Sequence, residues 1–197
     1  FDGEALTVSA SLCVQFSLCA GMELDEEAFS TLKAAVAKEA ARERAVRILT
    51  ASAVSERELE KRLVQKGTLP ADAADAVAWL KEHRFLDDAA TAAQLVDSAV
   101  RKGYGRARVK NILYEKGIPK DLWDEALARI PAMDDAIDRF LAAKLRGRTA
   151  DEKTIKKTID ALLRRGFSYG EIRDALRRYE ADLEDLELEE TMTEELE

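Results

Sequence analysis

SERELEKRLVQKG, residues 55–67, returns fifty residues later as GRARVKNILYEKG, residues 105–117, and more loosely as TIKKTIDALLRRG, residues 154–166. Leu59, Leu63 and Gly67 are spaced four and four, as are Val109, Leu113 and Gly117. In the third copy Leu162 and Gly166 keep the spacing, while Thr158 takes the first apolar place and Ile155 and Ile159 shift the stripe. Apolar residues four apart lie on one helical face. A terminal glycine accepts the left-handed C′ conformation that other residues resist. Lys66, Lys116 and Arg165 precede the glycines, placing a cation at the negative end of each helix dipole. Past each glycine, apolar residues resume at plus six and plus ten: Ala73 and Val77, Trp123 and Leu127, Ile172 and Leu176. That predicts a second helix after a short turn. A small helical unit recurring about every fifty residues is the signature of a stacked array.

The rest of the chain fits that reading. Charged residues make up 36% and only three prolines occur in 197 residues, a mix that favours helix. The predicted fold is mainly α: an elongated array of tandem three-helix, helix-turn-helix-like repeats after a small N-terminal hairpin remnant. Residues 1–41 hold the hairpin remnant and a helix, 42–84 the first repeat, 85–131 the second, 132–179 the third and 180–197 an acidic tail. One such unit has little core, so stacked neighbours are expected to share it.

Local signals set the elements. Asp2-Gly3 marks a hairpin turn, with Ala5 to Val8 as its second strand. Ser9 caps a short helix through Phe16, and Asp25 caps a helix running from Glu26 through Leu49. Ser55 with Glu58, and Ser168 with Glu171, form capping boxes. Pro70 suits a first helical turn, and Pro119 opens the helix carrying Trp123. Asp87 or Asp88 caps a helix through Val100, and Asp134 to Leu145 is the first helix of repeat three.

Net charge is −8, but it is unevenly spread. Residues 1–100 carry 11 basic and 17 acidic groups, residues 101–178 carry 20 and 12, and residues 179–197 carry none and 10. A basic middle before an acidic tail suggests an anionic partner and something that competes with it. Arg101, Lys102, Arg106, Arg108 and Lys110 cluster around Tyr104. Lys144, Arg146 and Arg148 form a second cluster. Lys153, Lys156 and Lys157 share one face, opposite Ile155, Ile159 and Leu162. Phosphate or an acidic protein groove is the natural partner of these eleven residues.

Catalytic chemistry finds little to work with. His83 is the sole histidine and reads as a helix-end surface residue. Cys13 and Cys19 read as core thiols, and no histidine–cysteine set has zinc spacing. There is neither a Walker loop nor a G-x-G-x-x-G. Asp87-Asp88 reads as a helix cap rather than a metal pair, since Ala89-Ala90 adds no oxygen ligand. No cofactor is called for. No signal peptide or long apolar run is seen, so a cytoplasmic location is expected.

Asp2-Gly3-Glu4, Gly21-Met22-Glu23-Leu24-Asp25, Ser55-x-x-Glu58-Leu59 with Leu63-x-x-Lys66-Gly67, Phe85-Leu86-Asp87-Asp88, and Gly105 through Lys116-Gly117-Ile118 occur in an order and spacing that together are specific. In these the chain resembles the RecX family, bacterial regulators of the RecA recombinase. The resemblance implies an array of three-helix repeats that binds in the groove of the RecA–DNA filament and suppresses ATP hydrolysis and strand exchange; a monomer that touches single- or double-stranded DNA weakly is expected. It carries over no catalytic residue and involves no membrane. Thr91-Ala92 depart from it, since the family usually has an aromatic followed by alanine there, and looser packing between repeats one and two is expected. The alternative reading is a DNA-binding helical array acting without RecA.

Overall fold

The structure, a computed structural model, describes residues 5–145 and 152–180. Every regular element among them is helical. They are α1 (Ala10–Gln15), α2 (Glu26–Ala51), α3 (Glu56–Gln65), α4 (Pro70–Glu82), α5 (Asp88–Arg101), α6 (Arg106–Glu115), a 3-10 turn (Lys120–Leu122), α7 (Trp123–Ala128), α8 (Asp134–Leu145) and α9 (Glu152–Arg164). A last helix, α10, covers 169–180. Residues 1–88 form one compact unit and residues 89–197 a second.

Caps fix most helix starts. The hydroxyl of Ser9 accepts from the amide of Leu12 at 3.2 Å, and the Asp25 carboxylate from that of Ala28 at 2.7 Å. Ser55 accepts from the Glu58 amide at 3.1 Å, while the Glu58 carboxylate turns forward to Arg62. The Ser168–Glu171 box closes in both directions, at 2.7 and 3.2 Å.

Helix ends repeat one device. Gly67, Gly117 and Gly166 have φ of +84°, +71° and +88°. At each, the glycine amide and the next amide turn back onto carbonyls of the last turn, as Gly117 to Tyr114 at 3.0 Å and Ile118 to Leu113 at 3.0 Å. This is the Schellman closure, and its apolar pairs are Leu113 with Ile118 and Leu162 with Phe167. All four of these side chains are buried. Helix α4 ends the same way with Arg84, at φ +59°, in the glycine place.

Leu59, Leu63, Val109, Leu113 and Leu162 are fully buried. Thr158 is buried too, and its hydroxyl donates to the Thr154 carbonyl at 2.9 Å, which satisfies the polar group that replaces an apolar one. Within the second unit the core is not shared between repeats as expected. Three separate clusters form, one per repeat: Leu59, Leu63 and Leu80 with Ala41, Ala45 and Ile48; Val96, Val109, Leu113 and Leu127; and Ile137, Leu141, Leu162 and Ile172. In the first two repeats the first helix, α2 or α5, is the longest and lays an apolar stripe across the two shorter ones.

Two further expectations fail. Ala5 to Val8 carry no regular structure, and no strand occurs among the described residues. A strand needs a ladder partner, and Leu6, Thr7 and Val8 instead line a groove with Val36, Glu39 and Ala40 of α2; the turn expected at Asp2-Gly3 lies outside the described residues. Cys13 is half-buried and Cys19 exposed, so neither is a core thiol. The short helix α1 buries only Leu12, and the chain turns away at Ser17 and Gly21, both at positive φ. Thr91, at the departure noted above, is buried.

Candidate anion-binding surface

The basic residues of the second unit are set out by α5, α6, α8 and α9. Arg101 and Lys102 stand exposed where α5 ends. Tyr104, half-buried, follows the left-handed Gly103 and precedes Gly105, the N-cap of α6. Arg106 and Lys110 are exposed on α6, and Val109 between them is buried. Arg108, read from the sequence as part of the basic cluster, is half-buried and paired with Glu115 at 3.3 Å, because its place on α6 turns it toward the Gly166 turn. Lys153, Lys156 and Lys157 are exposed on the first two turns of α9, with Ile155 and Ile159 turned inward. Among the described residues none of Arg101, Lys102, Lys110, Lys153, Lys156 and Lys157 has an acidic partner. Arg146, Arg148 and the acidic tail beyond residue 180 lie outside the described residues.

What joins these groups is Arg165, which the spacing marks only as a cation at the end of its own helix. Its guanidinium instead donates to the carbonyls of Lys102 at 3.1 Å and Gly103 at 3.5 Å, at the negative end of α5. It lies over the rings of Phe140, 4.9 Å from the centroid, and Tyr104, at 6.0 Å. The Lys144 ammonium rests against the same Phe140 ring at 5.9 Å. The first cluster and the described member of the second therefore share one place, through Arg165. The planar, stacking fork of arginine suits that role and lysine does not, but nothing in the repeat spacing says which carbonyls it reaches. The third cluster stands further along α9: Lys153, Lys156 and Lys157 lie twelve, nine and eight residues before Arg165, roughly 12–18 Å along the helix.

The same joint removes one anion site. The amides of Gly105 and Ala107, in the first turn of α6, donate to the carbonyls of Arg165 at 2.8 Å and Gly166 at 3.1 Å. A free helix N-terminus would attract phosphate, but here two of its amides are already taken, which weakens the backbone as an anion site beside the side chains.

In the first unit, charges pair off. Asp75 on α4 meets Lys38 at 2.6 Å and Arg42 at 2.9 Å from α2. Burial pushes its carboxyl up, but the hydrogen bonds and charges of both cations outweigh this and hold it below its ordinary value. Asp88 accepts from the amide of Glu56 at 2.9 Å and so helps cap α3. Burial pushes its carboxyl up, against the pull of that bond. His83 is exposed, its ring nitrogen bonded to the Trp79 carbonyl at 2.8 Å. Among the described residues no cluster of histidine, cysteine or carboxylate fits a metal ion, and no helix is long and apolar enough to cross a membrane.

Comparison with known proteins follows the repeat pattern. The first, second and third three-helix domains of the RecX family match residues 41–80, 87–127 and 134–176. The chain is similar to a regulatory protein RecX of Cronobacter sakazakii, 33% identical over 153 residues, 70% of this chain and 91% of that one. It is 32% identical to a regulatory protein RecX of Escherichia coli over 151 residues, 70% of this chain and 90% of that one. Its fold is similar to a crystal structure of regulatory protein RecX, with a TM-score of 0.72 at 23% identity, covering 90% of this chain and 92% of that one. A RecX structure from Lactobacillus salivarius gives 0.63 at 18% identity over 75% and 99%.

Proposed function

Because the chain belongs to the RecX family, we propose that it is a non-enzymatic modulator of RecA that lies in the groove of the RecA–DNA filament and suppresses ATP hydrolysis and strand exchange. The single observation that supports this most is the set of cations on α5, α6 and α9 that have no acidic partner among the described residues, in a region of 20 basic against 12 acidic groups. Such a face suits a surface lined with phosphate or carboxylate, and its attraction is screened by salt. Regulation here is by occupancy: the bound repeats stand where filament or DNA would otherwise move.

The test is a titration into a RecA ATPase assay on single-stranded DNA. Hydrolysis falls as the protein is added; an unchanged rate at excess protein would falsify the proposal. Lys153, Lys156 and Lys157 changed together to glutamate weaken filament binding with no loss of helicity, since all three side chains are exposed. Much tighter binding to RecA–DNA filaments than to DNA alone separates this reading from that of a DNA-binding array acting without RecA.

A further inference from the structure

We propose that the exposed face of α6 is a stacking site for single-stranded nucleic acid, with Tyr114 holding a base and Arg106 and Lys110 the adjoining phosphates. This rests on the reading of the basic region as anion-binding and names a residue-level ligand for it. Tyr114 is 69% exposed, next to the fully buried Leu113. The equivalent residues of the other repeats, Val64 and Leu163, are also exposed, at 40% and 42%, so the place is not needed by the core. Only repeat two puts an aromatic there, and only repeat two precedes it by a cation four residues before: Lys110, against Glu60 and Ile159.

The face has the parts that a nucleotide strand needs. Arg106, Lys110 and Tyr114 are spaced four apart and so lie on one side of the helix, each about one turn from the next. Asn111, exposed beside them, offers both a donor and an acceptor to a base edge. Glu115, the carboxylate next in sequence, is engaged by Arg108. Arg106 is held in place by a bond to the Leu127 carbonyl at 3.3 Å. An exposed ring stacks on any base, but only on one free of its partner strand, because bases inside a duplex cover each other's faces. The occupant is therefore single-stranded, and with the amides of Gly105 and Ala107 already bonded to the end of α9, phosphate binding falls mainly to these side chains.

The experiment measures fluorescence anisotropy of labelled oligothymidine, and of a duplex of equal length, at several salt concentrations. Tyr114→Ala lowers oligothymidine affinity about tenfold without changing its salt slope, and Tyr114→Phe restores it. Lys110→Gln lowers the slope of log K against log salt by about 0.7. Duplex binding does not respond to Tyr114→Ala. Unchanged oligothymidine binding by Tyr114→Ala, equal losses on both nucleic acids, or no binding of oligothymidine by the wild type overturns the site. Loss of RecA-filament binding by Tyr114→Ala with oligothymidine binding intact makes the ring a protein contact; it overturns the stacking site while the RecA proposal stands.

Discussion

The carbonyl of Gly166 accepts the amide of Ala107 at 3.1 Å, so the end of α9 caps the start of α6. Each helix end carries orphan groups of one kind, carbonyls on α9 and amides on α6. The contact satisfies both and sets opposite dipole ends together. It demands close backbone approach. A Cβ on Gly166 would lie 2.2 Å from the Arg108 nitrogen, and one on Gly105 would lie 2.4 Å from the Gly166 oxygen.

Three alanine substitutions separate conformation from crowding. Gly67 has positive φ but open space, so Gly67→Ala costs about 1 kcal/mol. Gly105 has an ordinary φ of −75°, so Gly105→Ala is penalised by crowding alone, about 1–3 kcal/mol. Gly166→Ala incurs both. Denaturant unfolding should rank Gly166→Ala as the worst of the three; equal losses at Gly67 and Gly166 would show that the joint does not form.

Arg165 carries the polar half of that joint. Arg165→Ala should lower stability by about 1–2 kcal/mol through lost carbonyl bonds and ring contacts. Arg165→Lys should recover less than half of it, since an ammonium cannot stack and fork at once. Hydrogen exchange supplies a readout specific to the joint: the amides of Gly105 and Ala107 lose protection in both variants. Protection equal to wild type would exclude Arg165 as its support.

Leu113→Ala should cost about 2–5 kcal/mol, because the side chain is fully buried. The separate clusters add a sharper expectation. Leu63 and Leu113 belong to different cores, so the double substitution loses the sum of the single losses to within about 0.5 kcal/mol. A coupling well above that would mean the repeats share a core after all.

The stripe of Leu59, Leu63 and Gly67 made the repeated helix and its ending legible, because each rests on local chemistry: face, closure and φ. The basic stretch was legible as charge, and Lys153, Lys156 and Lys157 as a face. The role of Arg165 was not, since its partners, Lys102 and Gly103, lie sixty residues away and the same position holds Lys66 and Lys116 elsewhere. The reason for Gly105 is another backbone, that of Gly166, which no local pattern reports. The expected strand at Ala5 to Val8 failed for the same cause, as pairing depends on a partner that the segment itself does not specify.

Arg84 stands at φ +59° in the place glycine takes in the other closures. Arg84→Gly should therefore raise stability by about 0.5–1 kcal/mol, the relief of a strained conformation less the added freedom of the unfolded chain. A lower thermal midpoint for this variant would show that the arginine side chain earns its place by contacts.

The last expectation concerns acid. Asp75 is held ionised by Lys38 and Arg42, with its carboxyl below the ordinary value in the folded state. A lowered folded pKa means that the unfolded chain binds the proton more tightly. The stabilisation is then fully present above about pH 4, the unfolded range, and is lost as pH falls through the lower folded value. Because the pair is partly exposed, its worth at neutral pH is about 1 kcal/mol or less. Asp75→Asn should be less stable than wild type at pH 7 by that amount. Below pH 4 the gap should narrow, and it should close once pH has fallen through the lower folded value, where wild type carries a neutral side chain too. Taking the difference between the two proteins cancels the other carboxylates, which titrate in both. A gap that persists unchanged down to pH 2 would mean that Asp75 acts through shape and hydrogen bonding, with its charge irrelevant to holding α2 against α4.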